Sequence, residues 1–182
     1  MNVNKFINLK NIASRYLILQ ILDGVFINRR TKTQTLNYLE KKHVFFEKKD
    51  IAQAERITNF IFGHLESIDK KISIFLKKKT NISVQNIFRI VISEIALKEA
   101  PNYALVNSAV DLARISIKTK YFLGLINSVS RNLVVRYQEK DLEFVSNLES
   151  NLKSYLEKNY SKAIADNIER TYTLNSTIDI SI

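Results

Sequence analysis

The chain has 182 residues, 46% of them hydrophobic, which is enough to bury one proper core, but its three glycines and single proline are too few for a fold rich in hairpin turns or phosphate-cradling loops. It contains no cysteine, which excludes disulfides, thiolate metal sites and a cysteine nucleophile. The formal net charge of +10 is unevenly spread: residues 1–138 carry 23 Lys and Arg against 10 Asp and Glu, whereas residues 139–182 carry 5 against 8.

A domain this basic concentrates polyanions through its summed field, and nucleic acid is the commonest such partner. Charge alone leaves open a plain alternative, a solvated lysine surface with no ligand. Residues 1–10 lack an apolar stretch of signal-peptide length, and no later run approaches the ~20 apolar residues that span a bilayer, so the expected setting is cytoplasmic.

In chain order, Ile18, Ile21, Leu22 and Val25 fall on one stripe and predict a first long helix. Thr31 can cap a second, weaker one carrying Leu36 and Leu39, with Arg29 and Arg30 in the loop between. Asp50 with Gln53 reads as an N-cap and capping box for a helix whose Ala54, Ile57, Thr58, Ile61, Phe62 and Leu65 share a face. Ser67 is expected to cap the next, with Ile68, Ile72, Phe75 and Leu76 inward until the run Lys77 to Lys79 stops the pattern. From Val84 to Leu97 the apolar residues surround the helix on nearly every side, Arg89, Ser93, Glu94 and Lys98 excepted. Such a helix belongs in the middle of a bundle.

Pro101 ends that helix, because it fixes its own φ and pushes Ala100 out of helical geometry. The following helix should pack through Val106, Ala109, Val110, Ala113 and Ile117, with Asn107, Asp111, Arg114 and Lys118 along an adjacent polar stripe. The last helix of the bundle sets Phe122, Ile126, Val129 and Leu133 inward and Arg131 outward. Past Gln138 the charge changes sign: a helix opening at Asp141 runs through Tyr155 and Tyr160, a shorter one spans Ala163 to Tyr172, and Thr173 to Ile182 reads as an extended tail. The expected division is a domain over residues 1–138 and a helical extension over 139–182.

Several of these pieces, taken in order, resemble the NusB/RsmB family, and within it the N-terminal domain of the RsmB-type small-subunit rRNA 5-methylcytosine methyltransferase. The resemblance is carried by Asp50, Ile68-Asp69, Ile87-Phe88-Arg89, Pro101 with Ala104 to Val106, the run Asn107 to Arg114, and Gly124-Leu125-Ile126-Asn127-Ser128-Val129-Ser130-Arg131. Relatives carry arginine in the turn where this chain has Gly63-His64, and tryptophan near Tyr155. The resemblance implies an all-α bundle of about seven helices that binds RNA, and specifically rRNA, the substrate of the parent enzymes. It also implies a parent that methylates cytosine C5 with a cysteine thiolate and S-adenosylmethionine. This chain has neither a cysteine nor a strand followed by a Gly-rich turn, so for it alone no enzymatic activity and no cofactor are expected. A methyltransferase catalytic domain is then a candidate partner beyond the extension. A transcription antitermination factor working with a ribosomal protein, and a helical adaptor for an acidic protein, are the competing readings.

The candidate phosphate contacts are Arg15, Arg29, Arg30 and Lys32 at the first helix and its loop, and Lys118, Lys120, Arg131 and Arg136 across the last helix pair. Asn107 and Asn127 are assigned structural roles, Asn127 as a partner for helix-end or loop backbone groups. His43 and His64 lack carboxylates at ligand spacing and read as surface or loop-edge residues, so no metal site is expected. Glu94 and Glu99 are taken as solvated helix-end charges. For Tyr16 and Tyr121, core packing is expected over stacking on unpaired bases.

Overall fold

In the computed structural model, which describes residues 12–41, 46–76, 78–138 and 150–173, seven helices run from Ala13 to Gln138. They are α1 (Ala13–Phe26), α2 (Lys32–Lys41), α3 (Lys48–Gly63), α4 (Leu65–Ser73), α5 (Ile82–Ala96), α6 (Asn102–Ile115) and α7 (Leu123–Gln138), the last entered through a 3-10 turn at Lys120–Phe122. Two more follow, α8 (Ser150–Asn159) and α9 (Lys162–Thr173), and there is no strand among the described residues. None of these helices is long and apolar enough to cross a membrane.

The helix that is apolar all round takes the centre: α5 packs on α1, α3, α4, α6 and α7. Its Val84, Ile87, Phe88, Ile90, Val91 and Ile92 are buried, and they meet Leu17, Ile18, Ile21 and Leu22 of α1, Ile57 and Ile61 of α3, and Ile126, Val129 and Leu133 of α7 in one core cluster. Asn81 caps α5 by accepting from the Ser83 N–H at 2.8 Å. Its far end closes with Lys98 in the left-handed region at φ 53°, the Glu99 N–H reaching the Glu94 carbonyl and the Lys98 N–H the Ile95 carbonyl. That paired pattern satisfies the carbonyls a helix end leaves open. Thr31 caps α2 reciprocally: its hydroxyl accepts from the Gln34 N–H at 3.1 Å while the Gln34 side chain accepts from the Thr31 N–H at 2.9 Å.

Four expectations are corrected by local geometry. Asp50 is not a cap but sits in the first turn of α3, where a carboxylate complements the helix dipole, and Gln53 reaches across to Glu99 at 3.3 Å. Ser67 is buried inside α4. No loop separates α3 from α4, because His64 donates back to Phe60 and its carbonyl accepts from Ile68, so that junction needs no side-chain cap. Ile117 lies past the end of α6 and is 72% exposed. The buried Thr119 hydroxyl donates at 2.9 Å to the Ala113 carbonyl, which would otherwise take the Ile117 N–H, and stops the helix there. Glu94 and Glu99 are not solvated: Glu94 is buried against Arg15, and the Glu99 side chain, 7% exposed, pairs with Arg56.

Helices α8 and α9 pack against each other and are tied by Lys153, 2.6 Å from Glu169 and 3.5 Å from Asp166. Ala165 is buried between them, but it is not part of the bundle's core cluster. The expected helix start at Asp141 and the tail from Leu174 to Ile182 lie outside the described residues, and Tyr160 falls just past the end of α8.

Two of the glycines have opposite surroundings. A Cβ on Gly24 would collide with the Thr35 hydroxyl and lie 3.2 Å from its methyl, so glycine is what lets α2 close onto α1. A Cβ on Gly124 would meet nothing within 4 Å. Gly24→Ala should therefore lower stability by about 1–3 kcal/mol, while Gly124→Ala should leave it unchanged or raise it by about 0.5–1 kcal/mol. Urea midpoints of the two variants beside wild type test this, and equal midpoints would refute the packing argument.

Candidate nucleic-acid interface

The end of α1 builds the first part of the site. The Asp23 carbonyl accepts from the Ile27 N–H at 3.0 Å, the Asn28 N–H at 3.1 Å and the Asn28 side chain at 3.2 Å, and the Arg30 N–H reaches the Gly24 carbonyl at 2.9 Å. Between them Arg29 is exposed and held at φ 56°, a conformation costing a non-glycine residue about 1–2 kcal/mol. The Arg30 guanidinium lies over the Tyr38 ring, 4.2 Å from its centroid.

The Asp23 carboxylate points the other way, into α5, accepting from Ser83 and from Asn86 at 2.8 Å each. Burial pushes its pKa above the ordinary carboxylate value, and those two bonds and the nearby Lys118 charge partly offset the rise. Lys118 lies in the connection between α6 and α7, within electrostatic reach of that carboxylate. Lys118 and Lys120 are exposed, and Lys120 lies over the Tyr121 ring at 4.8 Å. Tyr121 is 79% exposed, so it stands in water rather than in the core. Tyr16 does pack on the core: it stacks on Phe46 at 6.5 Å, and burial raises its pKa.

The eight cationic candidates are thus sorted by place. Arg29 and Arg30 follow the end of α1, and Lys118 and Lys120 lie in the connection between α6 and α7. Lys32 lies close by in sequence but pairs with Glu55 at 3.0 Å. Arg131 and Arg136 are exposed on α7, which carries them roughly 12 and 20 Å along its axis from Leu123. Arg15 faces inward, its side chain 12% exposed and its Nε 2.7 Å from Glu94, which fits it for holding α1 to α5 and not for meeting a ligand. Lys78 and Lys79, outside that set, are also exposed just before α5 and line a groove with Asp69 and Gln85.

Asn107 and Asn127 do not serve as backbone partners. They line an open groove of about 590 Å³ between α6 and α7, with Val110, Asp111, Arg114, Leu123 and Gly124. No side-chain hydrogen bond among the described residues engages either amide, while Arg114 is held by Asp111 at 2.8 Å. Among the described residues no cluster of His, Asp and Glu can hold a metal ion. His64 sits at the α3–α4 junction with its ring 4.6 Å from that of Phe60, and His43 lies outside the described residues.

Burial also sets a pH dependence. It holds Glu94 above its ordinary 4.5, with the Arg15 charge opposing the rise. A carboxyl that binds its proton more tightly in the folded chain contributes stability below its unfolded value, and loses that contribution as pH rises through the folded one. Unfolding free energy should accordingly decline as pH climbs from about 4 through this window. Glu94→Gln should remove its share of that slope, as read from urea midpoints at a series of pH values; an unchanged slope would refute it.

No curated protein and no solved structure matches the chain. The model of the NusB family does, over residues 12–135, a span that runs from the turn before α1 to the last turn of α7. Together with the seven-helix bundle built around α5, that match over more than half of the sequence places the chain in the NusB family.

Proposed function

We propose that this chain is an RNA-binding protein that holds RNA by its phosphates and performs no chemistry of its own. The reading rests on two exposed basic connections, Arg29 and Arg30 after α1 and Lys118 and Lys120 before α7, the second within electrostatic reach of Asp23 and carrying the exposed Tyr121 ring beside Lys120. Cations so placed neutralise phosphates and release counterions, which gives affinity and orientation; the exposed ring can stack on an unpaired base. Arg131 extends the basic surface along α7, and the groove beside it offers the Asn107 and Asn127 amides to a base edge.

Within the family the reading is the RsmB type, an rRNA-binding, non-catalytic N-terminal part of a cytosine methyltransferase. The motif from Gly124 to Arg131 and the helices after residue 138 support it, with residues 1–138 as the RNA-binding domain and 139–182 leading towards a catalytic partner. The absence of cysteine from these 182 residues fits the non-catalytic part of such an enzyme. The antitermination reading draws on the same bundle and shares its RNA-binding end. Sequencing of RNA crosslinked to the protein in cells separates the two, since one expects ribosomal RNA and the other leader transcripts.

Wild type should bind RNA with an affinity that falls steeply with salt. Combining Arg29→Gly, Arg30→Ala and Lys118→Ala should reduce the slope of log K against log [salt] by roughly two to three. Arg29→Gly suits the test because glycine relieves the left-handed strain, so stability should hold or rise while the charge is lost. Salt-insensitive binding, or binding only to an acidic protein, would replace the RNA reading with the adaptor.

A further inference from the structure

The Arg29–Arg30 turn is not self-supporting. Its amides hang from the carbonyls of Asp23 and Gly24 in the last turn of α1. That last turn is pinned to α5 by the Asp23 carboxylate, through Ser83 and Asn86. Asn86 accepts in turn from Arg89 at 2.7 Å, and Arg89 is fixed by two bonds to Asp69 of α4, at 2.8 and 2.7 Å, with the Phe26 ring 4.4 Å from its guanidinium. One continuous chain of polar contacts thus leads from α4 through α5 to the root of the turn. Coulomb's law alone says that an acid beside a basic surface weakens its hold on a polyanion.

We propose that Asp23 acts in the opposite sense, as a positioning residue for RNA binding: its carboxylate, oriented by Asn86, Arg89 and Asp69, fixes the end of α1 from which Arg29 and Arg30 project. Pre-set cations have less conformational freedom to lose when they meet phosphates, and that gain outweighs the repulsion from one half-buried, hydrogen-bonded charge. The inference rests on the RNA-binding reading above.

Two variants of the full chain separate charge from anchorage. Asp23→Asn removes the charge and keeps both contacts, since the amide oxygen still accepts from Asn86 and the amide nitrogen can donate to the Ser83 hydroxyl. Asp23→Ala removes charge and contacts together. The probe is a labelled RNA hairpin with a single-stranded tail, titrated over a range of salt, and amide hydrogen exchange is followed on the free protein.

Asp23→Asn should bind as tightly as wild type or tighter. Asp23→Ala should bind several-fold more weakly, with a salt slope shallower by roughly one to two; mere loss of folded protein would lower the bound fraction without changing the slope. Exchange at the Ile27, Asn28 and Arg30 amides should quicken in Asp23→Ala, while the Glu99 amide at the end of α5 should not change. Ser83→Ala, which breaks one of the two contacts and leaves the charge, should shift affinity and exchange in the same direction by less, and it replaces Asp23→Ala if that variant proves unstable.

Asp23→Ala binding like Asp23→Asn with an equal slope would overturn the proposal, and so would unchanged exchange in the turn. Should wild type fail to bind the hairpin, the RNA reading falls, and the exchange measurement still decides whether Asp23 positions the turn.

Discussion

A guanidinium taken out of water demands partners on every side, and Arg89 in the middle of the central helix has them. It is 6% exposed, doubly bonded to Asp69, bonded to Asn86 and lies over the Phe26 ring. Removing one member of such a set leaves a buried charge uncompensated, a loss of about 3–5 kcal/mol where it has been measured in buried pairs. Asp69 is 42% exposed, so water screens the outer side of this pair and the figure is an upper bound here. The geometric consequence outlasts that discount. Arg89 fixes where α4 and the end of α1 sit on α5, in a core whose aliphatic side chains tolerate repacking and do not by themselves dictate one register.

The same inward use of acids explains the basic exterior. Asp23, Glu94 and Glu99 turn towards groups inside the bundle, Asp69 closes on Arg89, and Glu55 and Asp111 pair with Lys32 and Arg114. Of the 10 acids in residues 1–138, these six are so engaged, and Glu47 and Glu66 pair with Lys49 and Lys70 at the surface. Among the described residues no ion pair engages Arg29 in the turn after α1, Lys118 and Lys120 in the connection before α7, or Arg131 on the outer face of α7. A basic surface here is partly a by-product of how the core is wired, and lysine-rich composition alone does not account for its placement.

The helices were legible in the sequence because each carries a periodic apolar stripe and α5 carries more than one. Pro101 and the Thr31–Gln34 pair marked boundaries by chemistry that acts within a few residues. What periodicity cannot express is contact between distant residues. Glu94 and Arg15 are 79 positions apart, Asp23 and Asn86 are 63 apart, and nothing local distinguishes those charges from solvated ones. The same blindness put Arg15 among the ligand-facing arginines, and it placed the Tyr121 ring in the core. The boundary at Ile117 failed for a different reason: the Thr119 hydroxyl, a side chain that apolar periodicity ignores, takes the carbonyl that would have continued α6.

Arg29 and Lys98 sharpen the point about strain. Both are left-handed residues that are not glycine, and both follow the C-terminus of a helix, after α1 and after α5. A cation there interacts favourably with the negative end of the helix dipole, typically by 0.3–1 kcal/mol, which offsets part of the roughly 1–2 kcal/mol that the backbone conformation costs. Glycine would satisfy the backbone better at either place. At Arg29, as at Lys98, no ion pair among the described residues uses the charge, so what that charge contributes within the fold is its interaction with the helix end, and this interaction is what offsets the left-handed backbone.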